Sequence, residues 1–254
     1  DSTQWDVAYK SGSASVPLFT ARNASNQAQP ITSPLEVGYH KQGGYMIFFG
    51  TGQFVAESDK TDKKVQSLYG IWDKLDSTGK GTPIAETNRS VLQQQTITAE
   101  TVIPPFERTV SDHSVDWSTK RGWYIDLLQP PEGTQQGERS VIMPMLNFGR
   151  IIFTTLIPSI DPCEAGGRNW LMLLDAETGG MMPKPQFDTN GDGKLNSTDR
   201  VIAAVGSDGI RSESVAISAG SLTHLIAATT TGAVEKVTIS NGAPPPRRSW
   251  KQLQ

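Results

Sequence analysis

One segment of this chain has residue types and spacing suited to binding a hard cation. It runs from Asp188 to Asp199 and reads Asp-Thr-Asn-Gly-Asp-Gly-Lys-Leu-Asn-Ser-Thr-Asp. Oxygen-bearing side chains occupy its first, third, fifth, ninth and twelfth positions, which is the spacing of an EF-hand calcium loop. Calcium takes about six to eight oxygen ligands at flexible distances, so a loop that turns alternate residues inward suits it. The sequence therefore predicts a calcium-binding loop.

Each ligand position in this loop has a candidate residue. The predicted metal ligands are Asp188, Asn190, Asp192, Lys194 through its carbonyl, Asn196 directly or through water, and Asp199. Gly193 permits the sharp turn after the fifth position, and Leu195 is the apolar residue expected to anchor the loop to a core. The closing residue is Asp where many EF-hands have Glu, so the chain must approach the ion about one methylene closer.

The residues around the loop predict only half of an EF-hand. Pro183 and Pro185 prevent an entering helix, because proline lacks the N–H donor and disfavours helical geometry in the residue before it. Downstream, Ser197 or Thr198 is expected to cap a short helix over Asp199–Val205. Three interpretations stay open: an Asx-rich turn that binds nothing, a purely structural calcium ion, and a regulatory calcium ion.

The rest of the chain has the composition of a β-rich protein. Of its 254 residues, 36% are hydrophobic and 19% charged, with 24 Gly and 16 Pro, which favours strands joined by many turns. This pattern predicts a sandwich, barrel or propeller. The predicted strands are Tyr45–Phe49, Ser67–Trp72, Gly122–Leu127, Ser140–Met145, Arg150–Leu156, Trp170–Leu174, Ser214–Ser218, Leu222–Ala228 and Ala233–Ile239.

Turn chemistry favours the propeller among these folds. Leu174-Asp-Ala-Glu-Thr-Gly179 has the strand-then-turn form that recurs in propeller blades, and Thr230–Val237 is a weaker copy. We expect a partial or modified β-propeller over residues 1–240, followed by an extended tail over residues 241–254 that contains Pro244–Pro246. The polar segment Lys74–Pro105 is expected to hold an insertion or irregular edge strands.

Charge and hydropathy exclude several classes of partner. The net charge is −3 without a run of like charges, which gives no basis for nucleic-acid binding. No apolar stretch has the length of a membrane span, so no membrane insertion is expected. The chain starts at Asp1, as expected for a processed piece of a longer protein. The single cysteine, Cys163, is expected to be a buried thiol or to have lost a partner outside this piece.

Catalytic signatures do not emerge from the residue pattern. The three histidines, His40, His113 and His224, are far apart, and neither a phosphate loop nor a nucleophile elbow occurs. Trp5, Trp72, Trp117 and Trp123 are candidates for a contact surface, but tryptophans in strand patterns usually pack in a core. The chain is therefore predicted not to be an enzyme.

A series of short motifs precedes the predicted calcium loop. The motifs are Pro30–Val37, Ile47–Val55, Ser67–Asp73, Gly122–Leu127, Glu138–Arg139, Ile152–Pro158, Asp161–Cys163, Gly166–Met172 and Leu174–Gly179. In this order they resemble one known family, the type IV pilus tip-associated adhesins of the PilY/PilC kind.

This resemblance implies part of a modified β-propeller at the pilus tip or the outer surface of a bacterium. It implies support of pilus assembly, calcium-dependent control of extension and retraction, and attachment to host-cell or abiotic surfaces. The implied partners are other pilus components, the minor pilins, and the implied metal is Ca²⁺ at Asp188–Asp199.

Two rival interpretations come from other protein classes. A quinoprotein-like dehydrogenase also uses Asp-x-x-Thr-Gly turns, but it predicts several repeats with Trp at the blade ends, whereas Gly180 and Met181 follow the turn here. A dockerin-type module also contains such calcium loops, but it carries two of them in a short helical unit. A purely structural, calcium-stabilised β domain is the remaining alternative.

Overall fold

A computed structural model describes residues 9–11, 13–84 and 89–241. These residues form sixteen strands and three short 3-10 helices, and none of them is α-helical. The 3-10 helices are Glu57–Lys60, Arg89–Val91 and Pro162–Glu164. The strands are β1 Lys10–Ser11, β2 Ala14–Ser15, β3 Glu36–Tyr39, β4 Tyr45–Gly50, β5 Ser67–Asp73, β6 Gln93–Gln95, β7 Ile97–Glu100, β8 Glu107–Val110, β9 Gly122–Asp126, β10 Met145–Asn147, β11 Arg150–Pro158, β12 Gly167–Asp175, β13 Ala204–Asp208, β14 Val215–Ala219, β15 Leu222–Ala228 and β16 Val234–Ser240.

Three sheets make up most of the described structure. Sheet I has the order β3-β4-β5-β9-β6, sheet II has β10-β11-β12-β13-β8-β7, and sheet III has β14-β15-β16. Neighbouring strands are antiparallel except β6 and β9, which run parallel. β1 and β2 form a separate hairpin. Short antiparallel strands in consecutive meanders are what the composition predicts, and the all-β fold class is confirmed.

Two apolar layers hold the three sheets together. The first lies between sheets I and II and includes Phe48, Leu68, Trp72, Trp123, Ile125, Ile151, Phe153, Trp170, Met172 and Leu174. The second lies between sheets II and III and includes Ile152, Leu171, Leu173, Phe187, Ile202, Leu225 and Ile239. Sheet II is therefore covered on both faces, which explains why β11 and β12 appear in the sequence as continuous apolar runs.

Trp123 connects sheet I to the turn after β12. Its indole ring lies between Gly70 and Gly179, where a Cβ atom at either glycine would come within 2.4 Å of the ring. Its Nε1 donates a hydrogen bond to the Ala176 carbonyl at 3.1 Å. The glycine of the Leu174–Gly179 motif is thus required by packing as well as by its positive φ of 70°. Trp72 and Trp117 are also buried, as expected of core tryptophans, and Trp5 lies outside the described residues.

The predicted short helix over Asp199–Val205 is wrong. The Ala203 N–H donates to the Arg108 carbonyl and its own carbonyl accepts from the Leu173 N–H, both at 2.8 Å. Ala203 is fully buried between these neighbours, and β13 begins at the next residue. Hydrogen bonding and burial within sheet II outweigh the modest helix propensity of this segment.

The predicted strand over Ser140–Met145 is also wrong, because only its last residue belongs to β10. Pro144 cannot donate to a strand ladder. Ser140 instead joins two sheets, since its N–H donates to the Thr51 carbonyl and its Oγ to the Thr154 carbonyl, both at 3.0 Å.

The polar segment Lys74–Pro105 contains edge strands, as the sequence predicts. β6 and β7 lie at the ends of sheets I and II. Gln95 is nevertheless fully buried, and its amide donates to the carbonyls of His113 and Thr178. Among the described helices, none is long and apolar enough to cross a membrane.

Two further sequence predictions concern Cys163 and the C-terminal tail. Cys163 is exposed, so the predicted buried thiol is wrong; it follows the N-cap residue Asp161 in a surface turn. The predicted tail beyond Asn241 lies outside the described residues.

Candidate metal centre

The Asp188–Asp199 loop belongs to the long connection between β12 and β13. Its start is fixed on sheet III, because Phe187 forms a β-bridge with Ile239 and the Asp188 N–H donates to the Thr238 carbonyl at 3.0 Å. Phe187 is 1% exposed and packs in the layer between sheets II and III. After the loop, Arg200 makes an ion pair with Glu107 of β8. The loop is therefore anchored to both sheets.

Three short side-chain turns shape the loop. Oδ1 of Asn190 accepts from the Asp192 N–H at 2.9 Å, and Oδ1 of Asp192 accepts from the Lys194 N–H at 2.8 Å. Oδ1 of Asn196 accepts from the Thr198 N–H at 2.8 Å. Each bond spans two residues, which is the Asx turn that Asn and Asp form readily. Each of these turns changes the local direction of the backbone within the loop.

Asp188 and two glycines form the tightest part of the loop. The two carboxylate oxygens of Asp188 accept from the N–H groups of Gly191 at 2.8 Å and Gly193 at 3.0 Å. Both glycines have a φ of 74°, a region that residues with a side chain rarely adopt. The predicted turning role of Gly193 agrees with this geometry.

Asp199 closes the loop by bonding to both of its ends. Its Oδ1 accepts from the Thr189 N–H at 2.8 Å and its Oδ2 from the Asn196 N–H at 3.0 Å. The residue is 6% exposed. Burial alone would raise the pKa of Asp199, but these backbone donors outweigh it and hold that pKa below its usual range. Asp199 is therefore held as a carboxylate, the form that a cation requires.

The donor chemistry of the loop fits calcium, although its carboxylates are not gathered into one cluster. Among the described residues, no group of three or more His, Cys, Asp or Glu side chains is placed to hold a metal ion. Asp188, Asp192 and Asp199 are instead directed at amide groups of the loop itself. A carboxylate oxygen that accepts one N–H keeps a further lone-pair direction, so these bonds leave capacity for a cation. The oxygen-only donor set suits a hard ion such as calcium.

Sequence reasoning missed two threonines that brace the loop. Thr189 Oγ1 accepts from the Arg200 N–H at 2.9 Å, and Thr198 Oγ1 accepts from the Asn190 side-chain amide at 2.8 Å. Neither occupies a ligand position, so the ligand spacing gives no signal for them. The Lys194 side chain is exposed, and Leu195 is partly buried but is not among the residues that form the two apolar layers, so its role as an anchor to the core stays a prediction.

Comparison with known proteins identifies the family. The family model described as the PilY1 beta-propeller domain matches residues 4–103. A type IV pilus biogenesis factor PilY1 homolog of Xylella fastidiosa is 40% identical over 183 residues, which cover 71% of this chain and 12% of the relative. The type IV pilus biogenesis factor PilY1 of Pseudomonas aeruginosa is 34% identical over 196 residues, covering 71% of this chain and 17% of the relative. The chain belongs to the PilY1 family.

A solved structure supports the PilY1 fold. The crystal structure of the Pseudomonas aeruginosa PilY1 C-terminal domain superposes with a TM-score of 0.71 at 25% identity, and the match covers 89% of this chain and 48% of that one. The family predicted from the motif series is thus confirmed, together with the propeller-type all-β fold. The chain spans less than a fifth of the length of the curated PilY1 relatives, since the matches cover 12% to 19% of each relative.

Proposed function

We propose that this PilY1-family chain is a non-enzymatic, calcium-binding β-propeller region that supports type IV pilus assembly. The observation that carries the calcium proposal is the loop geometry. Asp188, Asn190, Asp192, Asn196 and Asp199 already shape the loop through their oxygens, with glycines at the two strained positions. The Lys194 carbonyl completes the proposed ligand set.

Calcium, when bound, would supply positive charge that offsets the mutual repulsion of the loop's three carboxylates. The chain's own residues hold the loop in place. Asp199 ties the two ends of the loop together, and Phe187 fixes its start against Ile239 of β16. Arg200 fixes its end to Glu107 of β8. Ordering the loop therefore stabilises the junction between sheets II and III.

This placement suggests how calcium would influence the pilus. The loop is exposed at most of its positions and stands at an inter-sheet junction, so its order determines the shape of the adjoining surface. We propose that other pilus components, the minor pilins, contact this surface at the pilus tip or outer surface. We also propose calcium-dependent control of extension and retraction, and attachment to host-cell or abiotic surfaces, as roles of this surface. The relatives are named type IV pilus biogenesis factors, which supports the assembly role alone.

A cellular experiment tests the role beyond metal binding. Asp192→Ala, introduced into the full-length protein of the source bacterium, is expected to reduce piliation and twitching and to make both insensitive to calcium. Asp76→Ala is the matched control, because Asp76 also forms an exposed Asx turn but is not followed by the full set of oxygen side chains at EF-hand spacing, since Lys80 occupies the fifth position. If Asp192→Ala abolished calcium binding while piliation and twitching stayed normal, the regulatory role would be refuted and a purely structural ion would remain.

A further inference from the structure

A cleft of about 510 Å³ lies beside the calcium loop, between sheets II and III. Gly191 and Gly193 of the loop line one side, Val205–Ser207 of β13 a second, and Glu235–Thr238 of β16 a third. The cleft thus exposes a stretch of β16 beside part of the loop. The kind of ligand that the cleft can bind depends on which backbone and side-chain groups of β16 point into it.

The backbone of β16 presents an open edge at this cleft. β16 is an edge strand of sheet III. At its far end this edge is paired, since the Thr238 carbonyl accepts from the Asp188 N–H and the Ser240 N–H donates to the Gln186 carbonyl, both at 3.0 Å. Backbone groups alternate in direction along a strand, so those of Lys236 point to the same edge. The chain leaves this edge after Asp188 to form the calcium loop, and among the described residues no strand takes its place.

The side chains around this open edge combine an apolar floor with a carboxylate. Phe187 is fully buried at the base of the cleft, and Val205 and Val237 are half-buried beside it. Glu235 uses one oxygen, Oε2, to accept from Arg211 at 2.6 Å and from Ser207 at 2.9 Å. Its other oxygen, Oε1, has no donor among the described residues, and its side chain is 24% exposed. A carboxylate oxygen at a cleft wall favours a cationic donor.

We propose that this cleft binds an extended peptide segment of a partner protein, which adds as a strand to the Lys236 edge of β16 and places a Lys or Arg side chain against Glu235. Strand addition to an exposed edge obtains affinity from main-chain hydrogen bonds and specificity from pockets for alternate side chains. Here the open edge of β16 supplies the main-chain hydrogen bonds. Glu235 and the apolar floor supply the contacts for the partner's side chains. The calcium loop forms a wall of the cleft, but the proposal depends on the edge geometry and not on the metal.

Hydrogen exchange on the purified chain tests the proposal. The probe is an acetylated and amidated heptapeptide, Thr-Val-Thr-Lys-Thr-Val-Thr, added to saturation. We expect the amide of Lys236 to exchange rapidly in the free chain and at least about tenfold more slowly with the peptide, because an added strand protects edge amides. The same peptide with N-methylated backbone amides is the control, since it lacks the donors needed for strand pairing.

A variant of the chain tests the side-chain part. Glu235→Gln is expected to weaken binding of the lysine peptide by about tenfold, while a peptide with Gln in place of Lys binds both forms alike. Gln retains an oxygen acceptor for Arg211, and unchanged exchange at Leu225 of β15 would show that the sheet is intact.

Several results would overturn the proposal. One is the absence of peptide binding, or equal binding of the N-methylated peptide. Another is protection that appears at the open edge strand β14 instead of at Lys236. A third is slow exchange of the Lys236 amide in the free chain, which would show that the chain itself or a second copy already covers this edge.

Discussion

Two acidic turns of this molecule share their local chemistry and differ in what surrounds it. In the turn at Asp76, Oδ1 accepts from the N–H groups of Thr78 at 2.8 Å and Lys80 at 3.0 Å, and Gly79 has a φ of 80°. In the Asp188–Asp199 loop, Asp192 accepts from Lys194 in the same way, and Gly193 has a φ of 74°. The Asp76 segment contains one such turn, whereas the Asp188–Asp199 loop contains three, and Asp199 bonds to both ends of that loop. A single Asx turn therefore does not indicate a cation site. Oxygen side chains repeated at the spacing of metal ligands do.

The largest difference between the two turns is expected from removing the closing carboxylate. Asp199→Ala leaves the N–H groups of Thr189 and Asn196 without their acceptor. We expect it to lower the free energy of unfolding by about 2 kcal/mol and to abolish calcium binding. Chemical denaturation with and without calcium measures both effects. Asp76→Ala should leave the calcium-dependent part of the stability unchanged, and an equal loss in both variants would contradict the comparison.

A second expected difference concerns Asp192, which we propose as a calcium ligand, whereas Asp76 only shapes a turn. Asp192→Ala removes an exposed carboxylate whose only hydrogen-bond role in the loop is one short turn. We expect little change in the stability of the metal-free chain but a loss of most of the calcium-induced rise in Tm, because stabilisation by a ligand depends on its affinity for the folded state. Thermal unfolding across a calcium titration checks this. A rise in Tm equal to that of the unaltered chain would remove Asp192 from the ligand set.

Two glycines give a matched test of backbone strain. A Cβ atom at Gly193 or at Gly79 meets nothing within 4 Å, so a substitution at either position acts through φ alone. Gly193→Ala and Gly79→Ala should each cost about 1 kcal/mol of stability, and only Gly193→Ala should also weaken calcium binding. Parallel denaturation and calcium titration of the two variants provide the measurement. Weakened calcium binding in Gly79→Ala would show that the effect is not local.

The smallest expected difference concerns pH. Hydrogen bonds from the Thr78 hydroxyl and from nearby backbone N–H groups lower the pKa of Asp76, and backbone donors lower that of Asp199 despite its burial. Both groups therefore stabilise the fold above the unfolded pKa of about 3.9, and this contribution is lost as pH falls through the folded pKa. Calcium should move acid unfolding of the unaltered chain to lower pH, and Asp76→Ala should keep that shift. Acid titration followed by tryptophan fluorescence measures it, and the absence of any shift would argue against bound calcium at Asp199.

The sequence predicts the loop better than it predicts the sheet that carries it. Asn190, Asp192 and Asn196 bond to amides only two residues away, so the local pattern contains the information that shapes the turns. The buried strand Ser67–Asp73 is predicted, as Ser67–Trp72, for a similar reason, because a continuous apolar run between turns has few alternatives.

Long-range contacts account for the elements that sequence reasoning gets wrong. Residues 199–205 have a pattern compatible with a helix, but hydrogen bonds to Arg108 and Leu173 and pairing with β8 and β12 keep the end of this segment extended. Gln95 appears polar and superficial in the sequence, yet contacts with His113 and Thr178 satisfy it in the interior. Such pairings join residues that are distant in the chain, so local patterns carry no signal for them.

Calorimetric titration of the purified, metal-stripped chain with calcium tests the central claim most directly, with magnesium titrated in parallel. Saturable heat from a single site for calcium, and little or none for magnesium, is the predicted result, because the flexible, oxygen-rich loop suits calcium better than the smaller, octahedral magnesium ion. Absence of calcium heat from a chain confirmed to be folded and metal-free would contradict the claim. The loop would then be a run of Asx turns like the one at Asp76.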